Sequence, residues 1–442
     1  MPFPGVKELL ALAGFLLFAS ALASEGAQEG GGGEDALARI GRADPVLAAM
    51  LELIAVPSPS GHEGKIGELI LAGLRALGLD AKKDAAGNVT ARIPASPGYE
   101  GAPALLLTAH MDMVPGDKSE PLRPVRPRVV AIEGKEWIAT DGATTLGADD
   151  KAGVAVILDA AARLLGKHPG AAPLPHGPIE IAITVEEETS MRGALSLRTE
   201  AFQARYALVI DGENLYEVVW ELAGGAEVVI RPHGARGGHS GLDIHRPDNV
   251  NAIKVLSEID QQVPQGVVVK NERGVVLSIN AGLIEGGTAR NAIAPEARIT
   301  YLLRSTDPGE EKKLIGRIRA IAAEVEKKHQ ALQPDFRVEV KATSFLPPWK
   351  AATDSPLIRW VRKASEKMGA KDVRPISMHA GAESNVFASK KNARGETLLP
   401  LLIGAANLHG IHTTAERLDW RSLIQGRDWV LEIIRTVAEE GR

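Results

Sequence analysis

Carboxylates and imidazoles follow directly on short apolar runs at four places in this chain. These places are His110 and Asp112 after residues 104–109, Glu186, Glu187 and Glu188 after 179–185, Asp211 after 207–210, and His409 and His412 after 398–405. Runs of this length are typical of buried strands, and open α/β sheets bind their ligands beyond the carboxyl ends of such strands. Carboxylates and imidazoles collected there predict a metal centre, and with it a metal-dependent hydrolase.

Taken singly, each of these signals also has a structural explanation. His110 and Asp112 are alternate residues of an extended segment and face the same way, so the carboxylate could orient the ring or both could lie exposed at a strand end. In the segment 147–153, Asp149 or Asp150 could bridge two cations or serve only as a helix N-cap. The three adjacent glutamates repel one another unless solvent or cations offset their charge. Their common position at strand ends is what favours the metal centre.

The composition limits the chemistry of such a centre. The chain has 442 residues and no cysteine, so a disulfide framework and a thiolate metal site are both excluded. Any metal must be held by His, Asp and Glu, which favours hydrolytic zinc, cobalt or manganese over a structural zinc site. A formal net charge of −5 gives no electrostatic reason to expect nucleic acid as a partner.

The N-terminus has the pattern of a secretory signal over residues 1–23. Lys7 provides a weak basic region, residues 9–22 are almost wholly apolar, and Ala21-Leu22-Ala23 fits a cleavage site. The apolar run is short for a membrane span, although an uncleaved anchor is the alternative interpretation. Residues 24–36 are glycine-rich and predict a linker. We therefore expect an exported protein, periplasmic or secreted, with no other membrane association.

The remaining chain predicts an α/β fold with an insertion. Strand and helix patterns alternate through residues 37–221 and again through 346–442, which favours a mostly parallel sheet flanked by helices. Residues 113–146 are polar and rich in Pro and Gly, and are predicted to form a long loop. Residues 222–345 follow a β-α-β-β-α-β order, which predicts an inserted ferredoxin-like α+β domain.

Five segments of this chain resemble a known family. They are His110-Met111-Asp112-Met113-Val114-Pro115, Thr144-Thr145-Leu146-Gly147-Ala148-Asp149-Asp150-Lys151, Gly237-Gly238-His239-Ser240-Gly241, Gly286-Gly287-Thr288-Ala289-Arg290-Asn291-Ala292-Ile293 and His379-Ala380-Gly381-Ala382-Glu383. From about residue 45 onwards, the chain resembles the dinuclear zinc exopeptidases that include peptidase T, Xaa-His dipeptidase, carnosinase and aminoacylase. Among these it is most similar to Xaa-His dipeptidase and peptidase T.

The resemblance implies a role for each matching residue. The implied metal ligands are His110, Asp149 as the bridge between two ions, Glu188, Asp211 and one further histidine. Asp112 would orient the ring of His110, and Glu187 would be the general base. Asp150 would cap the following helix after a cis peptide bond.

The last metal ligand has two candidates. Three residues separate His412 from Glu416, as in the dipeptidases, whereas His409 within Asn407-Leu408-His409-Gly410 matches peptidase T. His412 is favoured because its match continues through Leu418.

The resemblance also implies residues that contact the substrate and a second subunit. His239 would reach the active site of a partner subunit in a homodimer and help to hold the tetrahedral oxyanion. Asn291 would contact the substrate from the same domain. Glu383 would line the substrate pocket, where a carboxylate suits a free α-amine.

The sequence therefore predicts a metallopeptidase, an exopeptidase of dipeptidase or tripeptide aminopeptidase type, with two divalent metal ions. Zinc is favoured, and cobalt and manganese also fit. One alternative is an N-acyl amino acid amidohydrolase or carboxypeptidase on the same scaffold. Another is a binding protein that has lost catalysis, although the retained Glu187 argues against it.

Overall fold

The computed structural model describes residues 33–168, 173–370, 373 and 375–442. The chain forms two compact units. Among the described residues, unit 1 comprises those up to Trp220 together with those within Ala351–Ile376 and Ala382–Arg442, and unit 2 comprises Glu221–Lys350 and Ser377–Gly381. The predicted signal segment, 1–23, lies outside the described residues.

The first helix begins earlier than the sequence pattern predicts. Residues 33–36 were expected to end a linker, but they open the first helix, because the glycine run stops at Gly33 and helix-forming residues follow.

The helices are α1 (Gly33–Ala43), α2 (Pro45–Ile54), α3 (Gly64–Ala76), α4 (Ala148–Leu164), α5 (Glu187–Ser190), α6 (Arg192–Ser196), α7 (Ala252–Asp260), α8 (Pro308–Gln330), α9 (Pro356–Lys367), α10 (Glu383–Phe387) and α11 (Trp420–Glu440), with a 3₁₀ turn at Thr199–Ala201.

The strands alternate with these helices along much of the chain. They are β1 (Lys82–Lys83), β2 (Val89–Ile93), β3 (Leu105–His110), β4 (Pro127–Ile132), β5 (Lys135–Thr140), β6 (Ile179–Thr184), β7 (Tyr206–Ile210), β8 (Val218–Leu222), β9 (Gly224–His233), β10 (Gly238–His239), β11 (Gly266–Asn271), β12 (Gly274–Gly286), β13 (Ala292–Ile293), β14 (Ala297–Ser305), β15 (Arg337–Leu346), β16 (Trp349–Lys350), β17 (Ile376–Met378), β18 (Leu399–Ile403), β19 (Asn407–His409) and β20 (Arg417–Asp419).

The main sheet of unit 1 is mixed, so the prediction of a mostly parallel sheet is wrong. Its strands lie in the order β1-β2-β6-β3-β7-β18-β8. The central strands β6, β3, β7 and β18 are parallel, whereas β2 and β8 run antiparallel to their neighbours β6 and β18. Parallel pairing requires a long crossover, usually a helix. No helix separates β2 from β3 or β7 from β8, so the chain reverses at these positions.

The centre of the sheet is its most buried part. Every residue of β3 and β6 is buried, as expected for strands covered on both faces. Helix α4 packs on β3, and α2 and α11 pack against α4. A buried ion network joins these three helices, because the Arg427 guanidinium of α11 contacts Asp159 of α4 and lies 2.9 Å from Oδ2 of Asp44, the N-cap of α2. The network fixes the helix whose N-terminus carries Asp149.

Residues 113–146 contain a β-hairpin, so the expectation of a long loop is wrong. Strands β4 and β5 pair antiparallel around Glu133 and Gly134, which have positive φ angles of 52° and 76°. Two such residues between two strands are typical of a type I′ turn. The second hairpin strand also pairs with β20, which in turn pairs with β19, giving a sheet of order β19-β20-β5-β4. This sheet therefore supports both ends of the loop that carries His412.

Unit 2 is built on one antiparallel sheet with strand order β11-β12-β14-β9-β15. Helices α7 and α8 contact each other and pack on this sheet. Their shared core includes Val228 and Ile230 of β9, Leu256 of α7, Ile318 of α8 and Phe336. In the described part of the chain, no helix of either unit combines the length and apolar character needed to cross a membrane.

Candidate metal centre

The candidate centre lies at the carboxyl edge of the parallel strands of unit 1. Strand β3 ends at His110, β6 ends three residues before Glu187, and β7 ends one residue before Asp211. Because these strands are parallel neighbours, their carboxyl ends meet at one edge of the sheet. The acidic residues and the histidine that follow them are therefore brought together by the strand order.

The predicted metal ligands converge on Asp149. One carboxylate oxygen of Asp149, Oδ1, lies 3.3 Å from Nε2 of His110, and the other, Oδ2, lies 3.1 Å from Nε2 of His412. Nε2 of His110 is also 3.5 Å from Oδ1 of Asp211, and Nε2 of His412 is 2.9 Å from Oε2 of Glu188. Asp149 thus stands between two imidazole rings, each of which has a second carboxylate beside it.

The two candidates for the last ligand are in different surroundings. His412 has a positive φ of 61° and points its Nε2 at two carboxylates. The ring of His409 packs instead edge-to-face on Trp137, with 5.1 Å between the ring centroids. The geometry therefore favours His412.

Asp112 connects His110 to the glutamates. It is fully buried, and its Oδ1 lies 3.3 Å from Nδ1 of His110. The backbone amides of Glu187 and Glu188 donate to its two oxygens at 2.9 and 3.1 Å. The hydroxyl of Ser60 donates to Oδ2 at 2.7 Å. Nothing in the local sequence around Ser60 indicates this contact.

The carboxylate of Asp150 accepts hydrogen bonds from two backbone amides. Its Oδ1 accepts the amide of Gly153 at 3.0 Å, and its Oδ2 accepts the amide of His110 at 3.3 Å. The Asp149–Asp150 peptide bond is cis, as the resemblance implies. Asp150 lies close enough to His110 and Asp211 to share a cation with them. Because both of its oxygens accept backbone amides, we interpret it as a helix cap.

Burial and hydrogen bonds shift the pKa values of the carboxylates at this edge in different directions. Burial raises the pKa of Asp211 to about 7 and also raises that of Glu188. Burial acts in the same direction on Asp149, but hydrogen bonds from His110 and His412 outweigh it and lower its pKa. These three neighbouring carboxylates cannot all stay ionised without positive charge between them. Imidazole nitrogens and carboxylate oxygens without sulfur are a donor set that fits divalent cations such as zinc.

Two further glutamates of unit 1, Glu187 and Glu383, interact electrostatically with these carboxylates. Burial raises the pKa of Glu187 well above its usual range, and the charges of Asp211, Glu188 and Glu383 add to the effect. Glu383 is only 1% exposed, and its Oε2 lies 3.5 Å from the hydroxyl of Thr108. Burial raises the pKa of Glu383 to about 7. The structure thus places Glu383 in the interior of unit 1.

His239 and Asn291 lie side by side in unit 2. His239 on β10 pairs with Ala292, the residue after Asn291, and the Asn291 carbonyl accepts the amide of Ser240 at 2.9 Å. Both residues are exposed. The Nδ1 of His239 accepts the amides of Gly241 and Leu242, each at 3.2 Å. This assigns the proton of the neutral ring to Nε2, which faces away from its own turn.

A family model identifies the fold that carries this centre. The model of peptidase family M20/M25/M40 matches residues 106–436, which include every residue that we predict as a metal ligand. The chain belongs to this peptidase family. The resemblance drawn from the five sequence segments is thereby confirmed, and with it the prediction of a metallopeptidase.

Individual relatives agree with this assignment. The chain is 28% identical to peptidase T of Vibrio cholerae over 409 residues, covering 87% of this chain and 92% of the relative. It is 30% identical to the cytosol non-specific dipeptidase of Escherichia coli over 302 residues, covering 63% and 57%. The crystal structure of a Staphylococcus aureus tripeptidase superimposes with a TM-score of 0.75 at 26% identity, covering 89% and 98%. These likenesses support the predicted exopeptidase for short peptides.

The relatives contradict one prediction. Residues 1–23 suggested an exported, periplasmic or secreted enzyme, but one of these relatives is named for the cytosol, and none of them supports export. The prediction rested on a lysine, an apolar run and a short cleavage-site pattern within residues 1–23, which are features of composition and not of structure. We therefore withdraw export as the location of this protein.

Proposed function

We propose that this chain is a metal-dependent dipeptidase or tripeptide aminopeptidase that holds two divalent cations. The position of Asp149 between His110 and His412 carries this proposal, because its two oxygens face different imidazoles. His110 and Asp211 would hold one cation, and His412 and Glu188 the other. Zinc suits these donors, and cobalt or manganese also fits.

The chain supplies the proton transfers through Glu187. Two cations bound here would lower the pKa of a shared water and polarise the scissile carbonyl. Glu187 takes a proton from the attacking water and returns it to the leaving amine. Burial raises the pKa of Glu187 above its usual range, which makes it a stronger proton acceptor than an exposed glutamate. Asp112 holds the backbone of this residue in place.

Unit 2 would complete the site in a homodimer, as a dimerisation and lid domain. In this proposal, Nε2–H of His239 donates to the developing oxyanion of the partner subunit's substrate. The exposure of the ring and the acceptor role of its Nδ1 support this donor. Asn291 lies beside it and would contact the peptide. Glu383 is buried, so it would act from the floor of the pocket through its charge on Glu187.

A substrate panel tests this function. The purified protein, loaded in turn with zinc, cobalt or manganese, is assayed on Ala-His, a tripeptide and an N-acetyl amino acid. We expect cleavage of the dipeptide or tripeptide and little of the N-acyl compound. Preference for the N-acetyl amino acid would instead establish an amidohydrolase. A metal-loaded protein inert on all three would leave the non-catalytic relative as the correct interpretation.

A further inference from the structure

Glu416 makes an unusual set of hydrogen bonds beside the metal centre. Its Oε2 accepts the backbone amides of Leu146 and Gly147 at 2.8 and 2.9 Å. Its Oε1 accepts those of Ala148 and Asp149 at 2.7 and 3.2 Å. One carboxylate, only 2% exposed, thus binds four consecutive amides, which uses its full capacity as an acceptor.

These four amides belong to the loop that presents Asp149. Gly147 lies in this loop with a positive φ of 68°, and a side chain there would meet Met113 Sδ at 3.0 Å. The left-handed residue lets successive amides point into one concavity, a geometry that proteins use to hold anions. Here the anion is a side chain of the same chain. The direction of the Asp149 carboxylate therefore depends on Glu416.

Glu416 also belongs to the turn that presents His412. The amide of Thr413 donates to the Gly410 carbonyl at 3.2 Å, and the amide of Glu416 donates to the Thr413 carbonyl at 3.1 Å. Two consecutive turns, residues 410–413 and residues 413–416, thus connect His412 in the first turn to Glu416 at the end of the second. The side chain of His412 in turn reaches Asp149, since its Nε2 lies 3.1 Å from Oδ2 of Asp149. The Asp149 loop and the His412 turn are connected twice, once at the site and once through Glu416.

We propose that Glu416 is a positioning residue that sets the separation of Asp149 and His412 and so the affinity and geometry of the cation between them. This inference rests on the proposed metal-dependent function. Sequence comparison pointed to Glu416 only as part of a pattern after His412. The structure adds the reason why a glutamate at that distance is needed, since it must reach four amides of a loop more than 260 residues away in sequence.

Glu180 provides a matched control. It is a glutamate of unit 1 that is also buried, and its carboxylate accepts the backbone amides of Gln203 and Ala204 at 3.1 and 2.8 Å. It lies at the start of β6, at the opposite end of the strand from the metal centre. A substitution there removes carboxylate-to-amide hydrogen bonds of the same kind, together with an ion pair to Arg92 at 3.1 Å, and none of these partners is a residue that we propose as a metal ligand.

The test compares Glu416→Gln with Glu180→Gln in the full-length protein. Zinc affinity is measured by competition with a chromophoric chelator, and the visible spectrum of the cobalt-loaded protein reports ligand geometry. We expect Glu416→Gln to weaken zinc binding roughly 10- to 100-fold, to change the cobalt spectrum and to lower kcat more than it raises KM. Glu180→Gln should lower the melting temperature but leave zinc affinity and the cobalt spectrum unchanged.

A purely structural role for Glu416 predicts the opposite pattern. If Glu416→Gln lowers the melting temperature while zinc affinity and the cobalt spectrum match the wild type, the positioning role is refuted. Glu416→Asp keeps the charge but is one methylene shorter, and it should fall between wild type and Glu416→Gln in zinc affinity. It also serves as the test if Glu416→Gln does not fold. Both metal readouts need no peptide, so they stand even if the wild type cleaves none and the proposed function fails.

Discussion

Asp112 accepts the backbone amide of Glu187 at 2.9 Å. The same carboxylate lies 3.3 Å from the ring of His110, so one buried side chain positions both a proposed metal ligand and the proposed general base. Asp112 and Glu187 follow the carboxyl ends of the neighbouring parallel strands β3 and β6. The contact therefore exists only because β3 and β6 pair in this register, with His110 opposite Thr184.

We predict that Asp112→Asn lowers kcat/KM about 10- to 100-fold, the usual effect of losing a group that orients a metal-binding histidine. The new amide group would place a donor against an amide of Glu187 or Glu188, both of which now donate to a carboxylate oxygen. Steady-state kinetics on a dipeptide measure the loss. Ser60→Ala removes a single hydrogen bond to the same carboxylate and should cost less than tenfold. Equal effects of the two variants would contradict the central role of Asp112.

Glu187→Gln should lower kcat by about 10²- to 10⁴-fold, the range for a lost general acid–base group. Zinc stoichiometry and melting temperature should stay close to wild type, because Glu187 is proposed to bind no metal. The neighbouring Glu186 is the control, since its carboxylate pairs with Arg192 at 2.6 Å. Glu186→Gln should keep at least a third of the activity. Substantial turnover by Glu187→Gln would assign the proton transfer to another residue.

The two histidines of the 407–412 loop give a direct comparison. His412→Ala should remove one of two bound zinc ions, counted by metal analysis after dialysis, because His412 contacts both Asp149 and Glu188. His409→Ala removes a ring that packs on Trp137 and should keep both ions. Retention of two zinc ions by His412→Ala and loss of one by His409→Ala would reverse our assignment.

The sequence was most informative where strands are buried on both faces. The runs that end at His110 and before Glu187 are apolar without interruption, so their position and type could be predicted. Parallel pairing of such strands then placed their ends at one edge. The strands outside this parallel centre carry no comparable signal. The direction of β2 and β8 depends on whether a helix lies in the connection, so the prediction of a mostly parallel sheet missed their antiparallel pairing.

The missed features depend on contacts between distant residues. Ser60 and Asp112 are 52 residues apart, and no local pattern links them. The hairpin of residues 127–140 was missed because its surroundings are polar and rich in proline. Glu133-Gly134 was a usable signal, since a glycine-containing two-residue turn between β-branched stretches favours a type I′ hairpin. The choice between His409 and His412 likewise required the position of Trp137.

Glu52 provides a pH-dependent prediction away from the metal centre. Within the described residues, its Oε1 is buried and has no hydrogen-bond partner, and burial raises the pKa of Glu52 from 4.5 to about 7. Below pH 4.5 the carboxyl is protonated in both the folded and the unfolded state, so it costs nothing. Between pH 4.5 and 7 the unfolded state releases its proton first, and the free energy of unfolding falls as pH rises. Above pH 7 the carboxylate is charged in both states, and the full free-energy cost of burying its charge in the folded protein remains.

Glu52→Gln should therefore stabilise the protein at pH 8 and have a much smaller effect at pH 5. The expected gain at pH 8 is about 1 to 2 kcal/mol, after a reduction for the partial exposure of the side chain. Urea unfolding at both pH values, with the same metal content, measures it. Glu366 on α9 is an exposed glutamate, so Glu366→Gln should leave the free energy of unfolding within about 0.5 kcal/mol of wild type. An equal gain from Glu52→Gln at pH 5 and pH 8 would mean that the carboxyl is ionised in the folded protein throughout this range.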